Sequence, residues 1–300
     1  MGMGRFVRLG CFGAILGLLT GPALAQQTAS VASGGSGGCR SLPNNGALRA
    51  ALKSAVTGAN GGLSNNMWGT IVDNSGIVCA VAFSGGDYTS QWLGSRVISA
   101  QKANTGNAFS LGLGAGGAMI ALSSANLFSA VQPGGSLYGL QASNPVETDV
   151  AYGNFAGGQG NGPASGSSFG TPNDPLVGER VGGINVFGGG LALYVGGKRV
   201  GGLGVSGDTS CTDHMVAWRT RSTLRLDGFA GVSGPAALFA GDPTHPDNII
   251  FDIVANPSGD GATGQDPTKG GGVGTSPSGF GHPKCLNPPD PSTLPPVQTH

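Results

Sequence analysis

The stretch "VGGLGVSGDTSCTDHMVAW", residues 200–218, gathers Ser206, Asp208, Ser210, Cys211, Asp213 and His214. Nucleophilic chemistry uses these types: a hydroxyl or thiol attacks, an imidazole takes the proton, and a carboxylate orients the imidazole. A nucleophile elbow reads G-x-S-x-G; Gly204 and Ser206 fit, but Asp208 occupies the fifth position. An enzyme acting on a small substrate through Ser206, Asp208 and His214 is therefore an alternative reading and not the first one. The same span also reads as a strand turning into a helix. Ser210 can serve as the N-cap with Asp213 three residues on, a capping-box pattern, and both Asp208 and Asp213 suit the positive end of a helix dipole. Cys211, Met215 and Trp218 would then share one helix face packed on the sheet. Capping explains most of what looks catalytic.

Other constellations are weaker. "GLGAGG" (Gly112, Gly114, Gly117) formally matches a dinucleotide fingerprint, but it follows a helical stretch and the next acid is Glu147. "SAQK", ending at Lys102, lacks the companion elements of serine–lysine enzymes, so Lys102 reads as a charged helix position at a pocket rim or interface. The histidines, 214, 245, 282 and 300, form no H-x-x-x-H pair, which argues against a metal site from one segment. His214 alone falls inside an expected regular element.

The elements that must position these residues follow from periodicity. Leu48, Leu52 and Val56 line one face of a helix in "PNNGALRAALKSAV". "MWGTIVDNSGIVCAVAF" reads as two strands around Asn74-Ser75-Gly76. "SRVISAQKANTGNAFS" is a second helix, and "SANLFSAVQ" a shorter helical run. "VGGINVF", "LALYV" and "RVGGLGVSG" read as strands, the last two joined by a turn at Gly196-Gly197-Lys198. Hairpins in place of alternating strand–helix units imply an α+β fold, an antiparallel sheet with helices gathered to one side.

Composition bounds the rest. Residues 1–25 read as an export signal: Arg5 and Arg8, a short apolar run, and small residues ending at Ala25. This places the chain in a periplasm or outside the cell. Four cysteines then remain, Cys39, Cys79, Cys211 and Cys285, which an oxidising compartment would pair as two disulfides. Charged residues are 10% of the chain, 15 basic against 15 acidic; about 25% is usual. Nothing suits nucleic acid, which needs clustered cations. From Ala103 to Val146 no residue is charged, consistent with core, a homo-oligomer interface, or the wall of an apolar ligand pocket. Residues 26–43 read as a flexible leader, 44–228 as the domain with a glycine-rich surface insertion at 153–180, and 229–300 as a loop-rich extension. "NIIFDIV" is its one β-like run, and the proline-rich end reads as disordered.

"TIVDNSGIVCAVAF", "AQKANTGNAF" and "GGGLALYVGGKRVGGLGVSGDTSCTDHMVA" resemble the GlcG/HbpS-like haem-binding family. Its pattern has a V-D-x-x-G hairpin, a K-A-x-T helix and a closing G-G-x-G-V-S-G before an acidic helix start. The resemblance implies a five-stranded antiparallel sheet with helices against it, higher oligomers, and binding of haem or a related tetrapyrrole, without catalysis as the leading function. It places Lys102 and Thr105 of the helix motif, Tyr194 and His214 among the cofactor-binding candidates. Lys102 or Arg96 would pair a propionate, and His214 or Tyr194 would approach the iron. Some relatives use a histidine on the first helix, and "NNGALRAALKSAV" has none. A third reading is a non-catalytic scaffold or partner of a membrane sensor, whose glycine-rich surfaces exist for assembly. With this fold assumed, Cys39 would approach Cys79 and leave Cys211 for Cys285, while Cys39–Cys285 with Cys79–Cys211 stays open.

Overall fold

The computed structural model describes residues 1–2, 37–153, 166–254 and 274–300. The export signal, and the leader up to residue 36, lie outside the described residues. Four strands form one sheet in the order β2-β1-β4-β3, every neighbour antiparallel. They are β1 (Trp68–Asp73), β2 (Val78–Phe83), β3 (Gly190–Val195) and β4 (Lys198–Ser206). The β1–β2 hairpin falls where expected, and Asp73 fixes its turn by accepting from the Ser75 and Ile77 backbone amides. The β3–β4 turn uses Gly196 and Gly197, both at positive φ, a region costly for other residues.

Among the described residues, five α-helices accompany the sheet: α1 (Asn45–Val56), α2 (Gly94–Ala108), α3 (Thr148–Tyr152), α4 (Ser210–Thr223) and α5 (Pro235–Phe239). Asn44 caps α1 through its side chain, and Leu48 and Leu52 are buried. The helices are not gathered to one side. Leu48 and Leu52 of α1 and Met215 and Trp218 of α4 join Ile71, Leu191, Leu203 and Val205 in one core. On the other face Val97, Ala100 and Ala103 of α2 pack with Trp68, Val72 and Val81. With both faces covered, β1 and β2 are buried at every position, which is why their sequences run apolar without strict alternation.

The expected fifth strand is absent among the described residues. "VGGINVF" makes one isolated bridge, Val146 to Gly182. Gly182 and Gly183 turn into positive φ, and the Asn185 amide binds Thr105 Oγ1 instead of a ladder partner. "SANLFSAVQ" forms two 3-10 turns, Ser124–Leu127 and Ser129–Val131, the first opened by a capping box in which Asn126 Oδ1 accepts from the Ser123 amide. "NIIFDIV" buries Ile249 and Ile250 without joining the sheet.

Two loop expectations are corrected. In the insertion, whose residues 154–165 lie outside the described ones, Leu176 is buried in the α2-side core, and Asp174 takes a bidentate pair of bonds from Arg96. The proline-rich end is docked: Leu294 and Val297 are buried, and Trp218 Nε1 donates to Pro295 O at 2.9 Å. Disulfides join Cys39 to Cys79 and Cys211 to Cys285, with Cα separations of 5.2 and 6.0 Å. The second one holds the extension against α4.

Candidate functional site

The start of α4 is built from chain-distant parts. Thr209, not Ser210, is the N-cap, accepting from the Thr212 amide. Ser210 turns outward from that role: its Oγ accepts from Gly188 N at 2.7 Å and lies 2.7 Å from His282 Nε2. Asp208 accepts from the amides of Leu63, Asn65 and Thr209, so it fastens a loop. His214 Nε2 lies 3.1 Å from Asn248 Oδ1 and 3.2 Å from Ile249 N, and as a protonated nitrogen it donates to Asn248 Oδ1, which also takes the Ile249 amide at 2.9 Å. Ser206 lies in the ladder opposite Trp68. The elbow-like trio of Ser206, Asp208 and His214 is therefore not assembled as nucleophile, base and orienter.

The four cofactor-binding candidates sit inside the fold. Lys102 is buried and its Nζ bonds Asp213 Oδ2 at 2.7 Å and Val205 O at 3.3 Å; it occupies no rim. Burial lowers the Lys102 pKa and raises that of Asp213 to about 6, with the mutual attraction opposing each shift. Thr105 donates to Gln101 O and accepts from Asn185 N. Tyr194 donates to Leu111 O at 2.8 Å, and burial raises its phenol pKa. Burial also lowers His214 to about 4, which keeps it neutral; its Nδ1 is buried without a hydrogen-bond partner. Arg96 is committed to Asp174.

Sequence reasoning passed over His282. It is buried, its Nδ1 lies 2.7 Å from Pro283 O, and burial lowers its pKa to about 4. The available signal was H-x-x-C, residues 282–285, beside a cysteine already assigned a partner. On the molecule's surface, a groove of about 550 Å³ is lined by Val146, Glu147, Val150, Glu179, Arg180 and Val181, among others. A second, of about 360 Å³, lies by the β1–β2 turn next to Asn74 and Lys198. Lys102, Thr105, Tyr194 and His214 line neither.

An antiparallel sheet clad by helices on both faces, closed by a glycine-rich strand running into α4, defines a class of small α+β domain. The family model described as "Haem degrading protein HbpS-like" matches residues 45–221, and the chain belongs to that family. No curated protein matches. Among solved structures, the Klebsiella pneumoniae protein ORFY is 22% identical over 60% of this chain and 88% of its own, with a TM-score of 0.37. A PduOC:heme complex is 21% identical over 59% and 89%, also at 0.37. HbpS is 15% identical over 60% and 88%, at 0.33.

Proposed function

We propose that this chain is an exported protein that binds haem or a related tetrapyrrole. The observation carrying this reading is the family match, which spans α1 through α4 and the whole sheet. Export accords with the pairing of all four described cysteines in disulfides, which persist in oxidising compartments.

The residues constrain where such a ligand would sit. Lys102, Thr105 and Tyr194 spend their polar atoms on protein partners in a packed interior, and the unpartnered His214 Nδ1 is buried and lines neither groove, so axial ligation by His214 or Tyr194 does not fit. The groove of about 550 Å³ fits better. Val146 and Val150 offer apolar wall, and Arg180 offers a cation for a propionate. Among the described residues, its lining holds no histidine, cysteine, methionine or tyrosine. The reading is thus a tetrapyrrole held by its apolar face and its carboxylates.

Titration of the purified chain with haemin tests this. A saturable Soret shift at micromolar protein is expected, unchanged in band position by Tyr194→Phe. Arg180→Glu is expected to weaken binding by about tenfold or more, the worth of a charged hydrogen bond. Absence of a saturable shift rejects the binding reading, and loss of it in Tyr194→Phe moves the ligand into the core. No helix among the described residues is long and apolar enough to cross a membrane.

A further inference from the structure

Where the C-terminal extension meets α4, three ligand-type atoms converge. The sulfurs of Cys211 and Cys285 and a ring nitrogen of His282 all lie within 4.8 Å of one another. Cys211 Sγ is 4.0 Å from His282 Nδ1. Cys211 and His282 are buried, whereas Cys285 is half-buried, so a small thiol can reach one sulfur while the imidazole stays shielded. Two thiolates and an imidazole are the donors that zinc-class cations take, with a fourth position left to water.

The surroundings of His282 accommodate both states of its ring. With the disulfide closed, Nδ1 donates to Pro283 O and Nε2 accepts the Ser210 hydroxyl proton, both at 2.7 Å. For Nδ1 to bind a metal, its proton must move to Nε2, which would then donate to Ser210 Oγ. That oxygen already accepts from Gly188 N, and a hydroxyl has two lone pairs, so it can take both donors. Ser210 thereby satisfies either tautomer, as partners of metal-bound histidines do.

We infer that reduction of the Cys211–Cys285 disulfide creates a site for a zinc-class divalent cation, with Cys211, Cys285 and His282 as ligands and Ser210 as a positioning residue. A dithiol reductant supplies two electrons and two protons and itself becomes a disulfide. The S–S bond breaks to give two thiols, and the cation displaces their two protons. The sulfurs then separate to roughly 3.8 Å, from Zn–S bonds of about 2.3 Å, a shift assigned to the half-buried Cys285. The metal keeps the extension pinned to α4 after the covalent link opens. This inference is independent of the tetrapyrrole reading. Cys39, Cys79 and Asp73 also lie close together, but Asp73 Oδ1 holds the β1–β2 turn, so that cluster serves as the control.

The test titrates cobalt(II), then zinc in competition, into the oxidised and the dithiol-reduced full-length chain. One equivalent with a thiolate-to-cobalt charge-transfer band is expected only after reduction. Cys39→Ala/Cys79→Ala should retain the band, His282→Ala should lose it, and Ser210→Ala should weaken affinity by about 10- to 100-fold. No band in protein whose thiols are verified as reduced overturns the inference, as does unchanged affinity in His282→Ala. If the His282 variant fails to fold, X-ray absorption on the zinc-loaded wild type decides. Two sulfurs and an imidazole support the site, and any other sulfur count overturns it.

Discussion

Lys102 and Asp213 form an ion pair with side chains only 1% and 3% exposed, linking α2 to the first turn of α4. Removing both charges from water costs several kcal/mol, which their attraction and added hydrogen bonds offset. Asp213 gains one such bond from the Asp208 amide, and Lys102 one to Val205 O. Burial raises the folded pKa of Asp213 to about 6 from its ordinary value of 3.8, so the folded state holds its proton more tightly. This group's favourable contribution is present in acid and is lost as pH rises through about 6. Without the ammonium, the carboxyl pKa rises further and the loss deepens towards neutrality. Lys102→Met is therefore expected to cost about 3–5 kcal/mol at neutral pH, and clearly less near about pH 4. Urea unfolding at both pH values reads the difference; equal deficits would sink the account. The residue types at 102 and 213 were legible as ionisable, but their burial was not. Their contact spans 111 positions, and helix spacing alone cannot tell a rim lysine from a buried one.

At the scale of elements, "VGGLGVSG" is explained by what crosses it. Helix α2 lies so close on β4 that a Cβ at Gly202 would strike Ala103 O, and one at Gly204 would strike Ser99 O. The approach is mutual, since a Cβ at Gly106 would come within 2.7 Å of the Leu191 backbone. The motif thus specifies helix–sheet contact and needs no ligand to account for its glycines. Gly204→Ala is expected to destabilise by about 3 kcal/mol through overpacking. Gly116→Ala, where a Cβ would meet nothing within 4 Å and φ is not positive, should stay within about 0.5 kcal/mol. Comparable urea midpoints for the two variants would refute the packing argument. Both hairpins and the three long helices of the domain, α1, α2 and α4, were readable from turn residues and periodicity. "VGGINVF" was not, because its alternation reads as a strand while Gly182 and Gly183 break the extended path. Likewise, Ser210 has capping chemistry, but Thr209 caps α4 because Ser210 is held by Gly188 and His282, segments that a local reading cannot supply.

At the scale of the whole molecule, the uncharged run from Ala103 to Val146 divides in two. Ala121, Ala125, Leu127 and Val131 are buried in the chain's own core. Leu111, Leu113, Leu137 and Tyr138 remain exposed, Leu113 at 61% and Tyr138 at 69%. Core packing therefore accounts for only part of the charge gap. The docked proline-rich end, unreadable because its partners Trp218, His245 and Asp227 are remote in sequence, leaves these four side chains uncovered. Exposed apolar side chains along a segment without interspersed charge suit an association surface better than a solvated one. Interfaces of identical subunits are depleted in charge in the same way. Self-association of this chain through that segment is the expected outcome. Light scattering at micromolar concentration should give a multiple of the chain mass. Leu113→Glu, at a side chain 61% exposed, should shift the mass towards that of one chain while leaving the circular dichroism unchanged. A wild-type mass of one chain would assign the exposed residues no role in assembly, and an unshifted Leu113→Glu oligomer would place the interface elsewhere.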